Sequence, residues 1–150
     1  MRRRDVLKLF AGAMAFVLLP INAIATGLNL KWNKAAFEAT KLADASKGLN
    51  ISAETPSKDI DLIAPDRAEN GAIVQIEITS RIPNTEAISV LVEHNPTVLI
   101  GNFIFSNGAL PYLVTRIKMA ETSDIKIIVK AGDQYFTASK SVVVLENGCG

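Results

Sequence analysis

Between Ala72 and Thr79 an apolar residue stands at every second position: Ala72, Val74, Ile76 and Ile78 alternate with Ile73, Gln75, Glu77 and Thr79. A period of two belongs to a strand with one face buried, whereas a helix would scatter these side chains around its axis. The same alternation returns in Ile88, Val90 and Val92, and further strands are predicted at Asp61–Ile63, Val98–Phe105, Tyr112–Met119, Ile125–Ala131 and Tyr135–Leu145. Turn signals separate them at Asn70-Gly71, Pro83-Asn84, Asn95-Pro96, Asn107-Gly108 and Gly132-Asp133. About seven short strands at such spacing predict an all-β chain, an antiparallel sandwich of immunoglobulin-like type. The Cys-Trp-Cys core of antibody domains is absent, so strand order is not fixed by this pattern.

Ahead of the strands the period is near four. Asn33 is placed to cap one amphipathic helix whose stripe runs Trp32, Ala35, Ala36, Ala39, Leu42 and Ala43 and which ends near Gly48. With 150 residues, 49% of them apolar, the chain has room for one ordinary core and shows neither a repeat nor a low-complexity tract.

The first 25 residues are of another kind. Arg2 to Lys8 hold four basic residues, Leu9 to Leu19 are apolar, and Ala23-Ile24-Ala25 offers the small residues a signal peptidase accepts, which predicts a secretory signal over 1–25 and a mature domain over 26–150. Arg3 and Arg4 followed by Leu7 and Lys8 resemble the twin-arginine export signal, with Val6 in place of the usual Phe. The alternative is an uncleaved membrane anchor over Leu9 to Leu30. Pro20, Asn22, Thr26 and Asn29 interrupt it and leave less than the roughly 20 apolar residues a span needs, so no stable membrane insertion is expected. A twin-arginine route carries folded cargo, which fits export as a complex with a second subunit and a periplasmic location.

Charge excludes one class of function. The first 25 residues carry +3 (four basic, one acidic), and the other 125 carry −2 (12 basic, 14 acidic). A slightly acidic body with no basic stripe has no footprint for nucleic acid.

Candidates for chemistry are few. His94 is the only histidine, and without a Gly-x-Ser-x-Gly elbow or partner ligands at metal spacing it reads as a turn residue. Asp59 and Asp61 could be paired carboxylates but suit a solvated strand edge, and Arg116 and Lys118 share one face of a strand that suits solvent. No metal site and no catalytic group is predicted.

Cys149 stands apart. As the only cysteine it can form neither an internal disulfide nor a cysteine cluster, and it sits in Asn147-Gly148-Cys149-Gly150 behind the β-branched run Val142 to Val144. Glycines on both sides leave the backbone unconstrained, and Asn147 tolerates the left-handed region, so residues 146–150 are read as a flexible tail. Three residues from Glu146 to Cys149, at about 3.3–3.6 Å each, give a reach of roughly 10 Å. Glu146 and the terminal carboxylate disfavour a thiolate, so a self-sufficient nucleophile is the weakest reading. A thiol presented to other proteins and activated in their sites suits the tail, as does an intermolecular disulfide joining two copies of a non-catalytic interaction module.

Several segments then resemble one family: Asp61-Leu62-Ile63-Ala64-Pro65, Ala68-Glu69-Asn70-Gly71-Ala72, Val92-Glu93-His94-Asn95-Pro96, Arg116-Ile117-Lys118-Met119-Ala120 and the terminal Gly148-Cys149-Gly150. Over essentially all of the mature chain the sequence is similar to SoxY, the sulfur-carrier subunit of the periplasmic thiosulfate-oxidising system. The resemblance implies an immunoglobulin-like fold, a heterodimer with SoxZ, and Cys149 as the covalent attachment site for sulfur species, with no other cofactor. It also implies that the cytochrome SoxXA conjugates thiosulfate to Cys149, that the hydrolase SoxB releases sulfate, and that the sulfane dehydrogenase SoxCD is a further partner. The family tail is usually Gly-Gly-Cys-Gly-Gly; here Asn147 stands for the first glycine and the last is missing, which brings the terminal carboxylate one residue nearer the sulfur.

Overall fold

The computed structural model describes residues 31–146, and its compact β unit begins at Trp32. Two short helices come first, α1 (Lys34–Phe37) and α2 (Leu42–Gly48). Nine strands follow: β1 (Thr55–Pro56), β2 (Ile60–Ile63), β3 (Arg67–Asn70), β4 (Val74–Ser80), β5 (Thr85–Val92), β6 (Leu99–Ile104), β7 (Tyr112–Ile117), β8 (Ser123–Ala131) and β9 (Gln134–Glu146). All seven strands expected from alternation and turn signals are present, with ends shifted by at most three residues.

One sheet runs β1-β9-β8-β5-β6 with β3 also on β9, and the other is β2-β4-β7. Between them lies a core of the alternating residues: Val74, Ile76 and Ile78 from β4 face Ile88, Val90 and Val92 from β5 and Ile125, Ile127 and Val129 from β8. This is an all-β, immunoglobulin-like sandwich. Most pairings are antiparallel, but β1 and β3 both lie parallel on β9, a departure from the expectation of antiparallel pairing throughout. Neither had an alternation to announce it, since β1 is two residues long and β3 buries only Ala68.

The expected single helix is two, because the segment folds back on itself. A straight helix from Asn33 to Gly48 would separate its ends by about 22 Å at 1.5 Å per residue. Instead Asn33 Nδ2 donates to the Gly48 carbonyl at 2.7 Å, while Asn33 Oδ1 accepts from the Ala36 N–H at 3.2 Å and caps α1 as the sequence indicates. The chain turns at Ala39, whose carbonyl accepts from the Val98 N–H at 3.0 Å, and Lys41 is extended. Ala36, Ala39 and Ala45 then cover Leu91, Val98, Leu99 and Ile128 on the outer face of the larger sheet. Trp32, Ala35 and Ala43, placed on the buried stripe by periodicity, are exposed; Trp32 stacks on Phe37 with ring centroids 4.3 Å apart.

Close approach explains Gly48. A Cβ there would lie 2.7 Å from the Ala36 nitrogen and 2.8 Å from its Cα, backbone atoms that cannot swing aside. Gly48→Ala is expected to part the two helices and to lower stability by about 1–3 kcal/mol, the usual cost of overpacking, read as a lower urea midpoint. An unchanged midpoint would show that α1 and α2 do not pack through this contact.

Candidate functional site

Strand direction decides where the chain's last residues depart. β9 pairs antiparallel with β8 from Ala131↔Gln134 to Ser123↔Val142, so the 132–133 hairpin marks one end of the sandwich and Glu146 the other. Gly132 takes a positive φ of 61° in that hairpin, which is why glycine suits it. β5 ends at Val92, β7 at Ile117, and β4 begins at Val74, all at the Glu146 end, because β5 and β7 run antiparallel to β8 and β4 respectively.

Beyond Val142, β9 has lost β8, and its last residues are held by other means. β3 lies on one side in the register Arg67↔Val143, Ala68↔Val144 and Asn70↔Glu146. Thr122 stands on the other, its Oγ1 accepting the Val144 N–H at 2.9 Å. The Gly71 N–H donates to the Glu146 carbonyl at 2.8 Å, and the Met119 N–H donates to the Gly71 carbonyl at 2.8 Å. Asn70 shapes this turn by accepting the Ala72 N–H on its Oδ1 at 2.7 Å.

Behind Met119 stands Asn95, only 8% exposed. Its Nδ2 donates to the Lys118 carbonyl and its Oδ1 accepts from the Ala120 N–H, both at 2.8 Å, so one amide grips the segment on either side of the buried Met119. His94 reaches the other flank: Nδ1 lies 2.9 Å from the Thr122 carbonyl, to which the Nδ1–H tautomer donates, and 3.5 Å from Glu121. The segments 68–72, 92–96 and 116–120, far apart in sequence, thus meet around the root of the C-terminal segment.

The remaining candidates fall elsewhere. Asp59 and Asp61 both serve Arg81, Asp61 through a close contact with Nη1 and Asp59 at 3.9 Å from Nε, in a half-exposed ion cluster. Arg116 and Lys118 are exposed, as expected of a solvent face. His94 has no neighbouring ligand set; among the described residues no group of three potential metal ligands occurs. At the opposite end of the sandwich, a hydrogen bond from Lys130 holds the Glu86 carboxyl below the usual carboxylate range, and the same bond raises Lys130. Partial burial, with Glu77 nearby, pushes the Tyr112 hydroxyl up. Among the described residues no helix is long and apolar enough to cross a membrane.

Cys149 with Asn147, Gly148 and Gly150, the Arg3, Arg4, Leu7 and Lys8 motif, and Ala23 and Ala25 lie outside the described residues. The sequence did not single out Asn95 and Thr122 as supports. Asn95-Pro96 is a turn signal in the sequence, and only the place of Asn95 in one of the resembling segments draws attention to it.

The fold and these segments can be compared with known proteins. A comparison with curated protein sequences finds no match. Among solved structures, the sulfur carrier protein SoxY from Chlorobium limicola f. thiosulfatophilum superposes with a TM-score of 0.65 at 30% identity, covering 76% of this chain and 100% of that one. The family model for the sulfur oxidation protein SoxY matches residues 47–149, from the end of α2 through all nine strands to Cys149. The chain therefore belongs to the SoxY family of sulfur oxidation proteins.

Proposed function

We propose that this chain is a periplasmic carrier that holds sulfur intermediates of thiosulfate oxidation covalently on Cys149 and presents them to partner enzymes. What carries the reading is that the family match runs through Cys149, three residues beyond the strand whose end is clamped at Glu146. The name of the solved relative, a sulfur carrier protein, points the same way.

In the reaction we assign to it, the Cys149 thiol and thiosulfate form a sulfur–sulfur bond to give Cys149–S–S–SO3⁻, releasing one proton and two electrons. The electrons pass to a c-type cytochrome, the role of SoxXA. Water then attacks the sulfonate sulfur in a hydrolase site, the role of SoxB, and hydrogensulfate leaves while a persulfide stays on Cys149. SoxCD is the further partner, acting on the sulfane sulfur left behind. The carrier supplies a nucleophilic sulfur and its reach, and the barriers are lowered in the partners' sites. We further assign residues 1–25 as a twin-arginine signal cleaved after Ala25, with export as a heterodimer with SoxZ, residues 26–150 as the carrier domain and 147–150 as its arm; the tail expected from 146 starts one residue later, because Glu146 is the paired last residue of β9. No cofactor is needed beyond the sulfur bound to Cys149.

The test is the intact mass of the protein isolated from the periplasm, with and without reductant, and after exposure to thiosulfate plus periplasmic extract. A reductant-sensitive sulfur or thiosulfonate adduct on Cys149 is expected. An unmodified thiol, or only a disulfide-linked dimer through Cys149, would sink the carrier reading in favour of a non-catalytic interaction module, and turnover of thiosulfate by the pure chain would favour an enzyme.

A further inference from the structure

A strand that ends a sheet and has lost one neighbour normally frays. β9 loses β8 after Val142, yet its last residues are tied down from both flanks, and both ties lead back to the turn after β5. The Asn95 tie is the more specific of the two. A buried amide that satisfies its donor and its acceptor on one backbone segment 23 and 25 positions away cannot be replaced by a turn preference. It fixes Lys118 to Ala120, hence the Met119 N–H that orients Gly71, hence the Gly71 N–H that holds Glu146.

Tether length is what this changes. With Glu146 held, three residues separate the root from Cys149; fraying back to Val142 makes it seven. The effective concentration of a tethered group falls roughly as the −3/2 power of tether length, so the longer tether dilutes the thiol about fourfold at any site within reach of both. We propose that Asn95 is a positioning residue for the thiol of Cys149, holding the end of β9 on the sandwich so that the tether stays short and its root stays fixed. The consequence for sulfur loading rests on the carrier reading above; the mechanical consequence does not.

The experiment uses the lone cysteine. With a nitroxide attached to Cys149 of the isotope-labelled chain, relaxation enhancement of backbone amides is expected to concentrate on the turns at 69–72, 93–97 and 118–122. In Asn95→Leu it should spread along the sheets, and the Gly71 amide should exchange with solvent faster. Loading by thiosulfate plus periplasmic extract, measured well below the unfolding midpoint of either protein, should slow about fourfold. Reaction of Cys149 with a small aromatic disulfide, which a tether does not limit, should keep its rate. Asn95→Asp, which retains the acceptor for Ala120, should fall between the two, and it carries the test if Asn95→Leu does not fold. The same relaxation footprint and the same Gly71 exchange in variant and parent would overturn the proposal. Absence of any adduct on the parent protein would instead count against the carrier reading and leave the relaxation and exchange data to decide the role of Asn95.

Discussion

Cys149→Ser is expected to abolish sulfur loading completely while leaving the sandwich intact. Serine matches cysteine in size but offers a hydroxyl in place of a thiol, and only the thiolate is a competent nucleophile toward sulfur near neutral pH. No other residue can substitute, since the chain holds a single cysteine. Folding should not notice the change, because the buried clusters draw on residues 36 to 144 and the strand register ends at Glu146. Intact mass after exposure to thiosulfate and periplasmic extract reads the first effect, and circular dichroism with urea unfolding reads the second. Binding of the proposed SoxZ partner should also persist if the sandwich carries that interface. An adduct still present on the serine variant would place the attachment elsewhere, and loss of folding would show that Cys149 is packed into the body.

Alternation made most of this fold legible because β4, β5 and β8 each bury one side chain in two against the facing sheet. Ile76 and Ile78 sit on the same period in sequence as in space. β5 shows where that signal thins: from Ile88 onward both faces are buried, since Leu91 faces the helical segment while Val90 and Val92 face the opposite sheet. Periodicity has no means of expressing a second cover contributed by residues 33–49. The same limit split the predicted helix, as the alanine stripe is compatible with one helix, whereas the Asn33–Gly48 hydrogen bond and the extended Lys41 show that the segment folds back.

The site divides differently. Its proposed chemistry is a reading of the sequence alone, from a lone cysteine between glycines after an apolar run. The support around the end of β9 was not legible there. Asn95, Gly71 and Thr122 act through hydrogen bonds to backbone groups 22 to 25 positions away or more, and such partners leave no mark on local composition. Asn95-Pro96 carries a turn signal that explains it fully without any reference to Met119. Three of the resembling segments prove to be one place in space, so what reads as scattered similarity in the sequence is the masonry around the end of β9.

That masonry stands on the core, and the core can be weakened without touching it. Ile127 is fully buried midway along β8, paired with Val90 on one side and Ala138 on the other, and its side chain lies between the two sheets. Ile127→Ala removes three buried carbon atoms and leaves a cavity that flanking strands, fixed by their ladders, cannot close. A loss of about 2–5 kcal/mol is expected, a large part of the roughly 5–15 kcal/mol that holds a domain of this size together. The urea midpoint should fall with an unchanged slope, since the surface exposed on unfolding is nearly the same. Loading of Cys149 at a temperature where the variant remains folded should match the parent, because none of the clamps at Glu146 involves Ile127. Slower loading by the folded variant would mean that core packing, and not the hydrogen bonds around Asn95, sets the position of the end of β9.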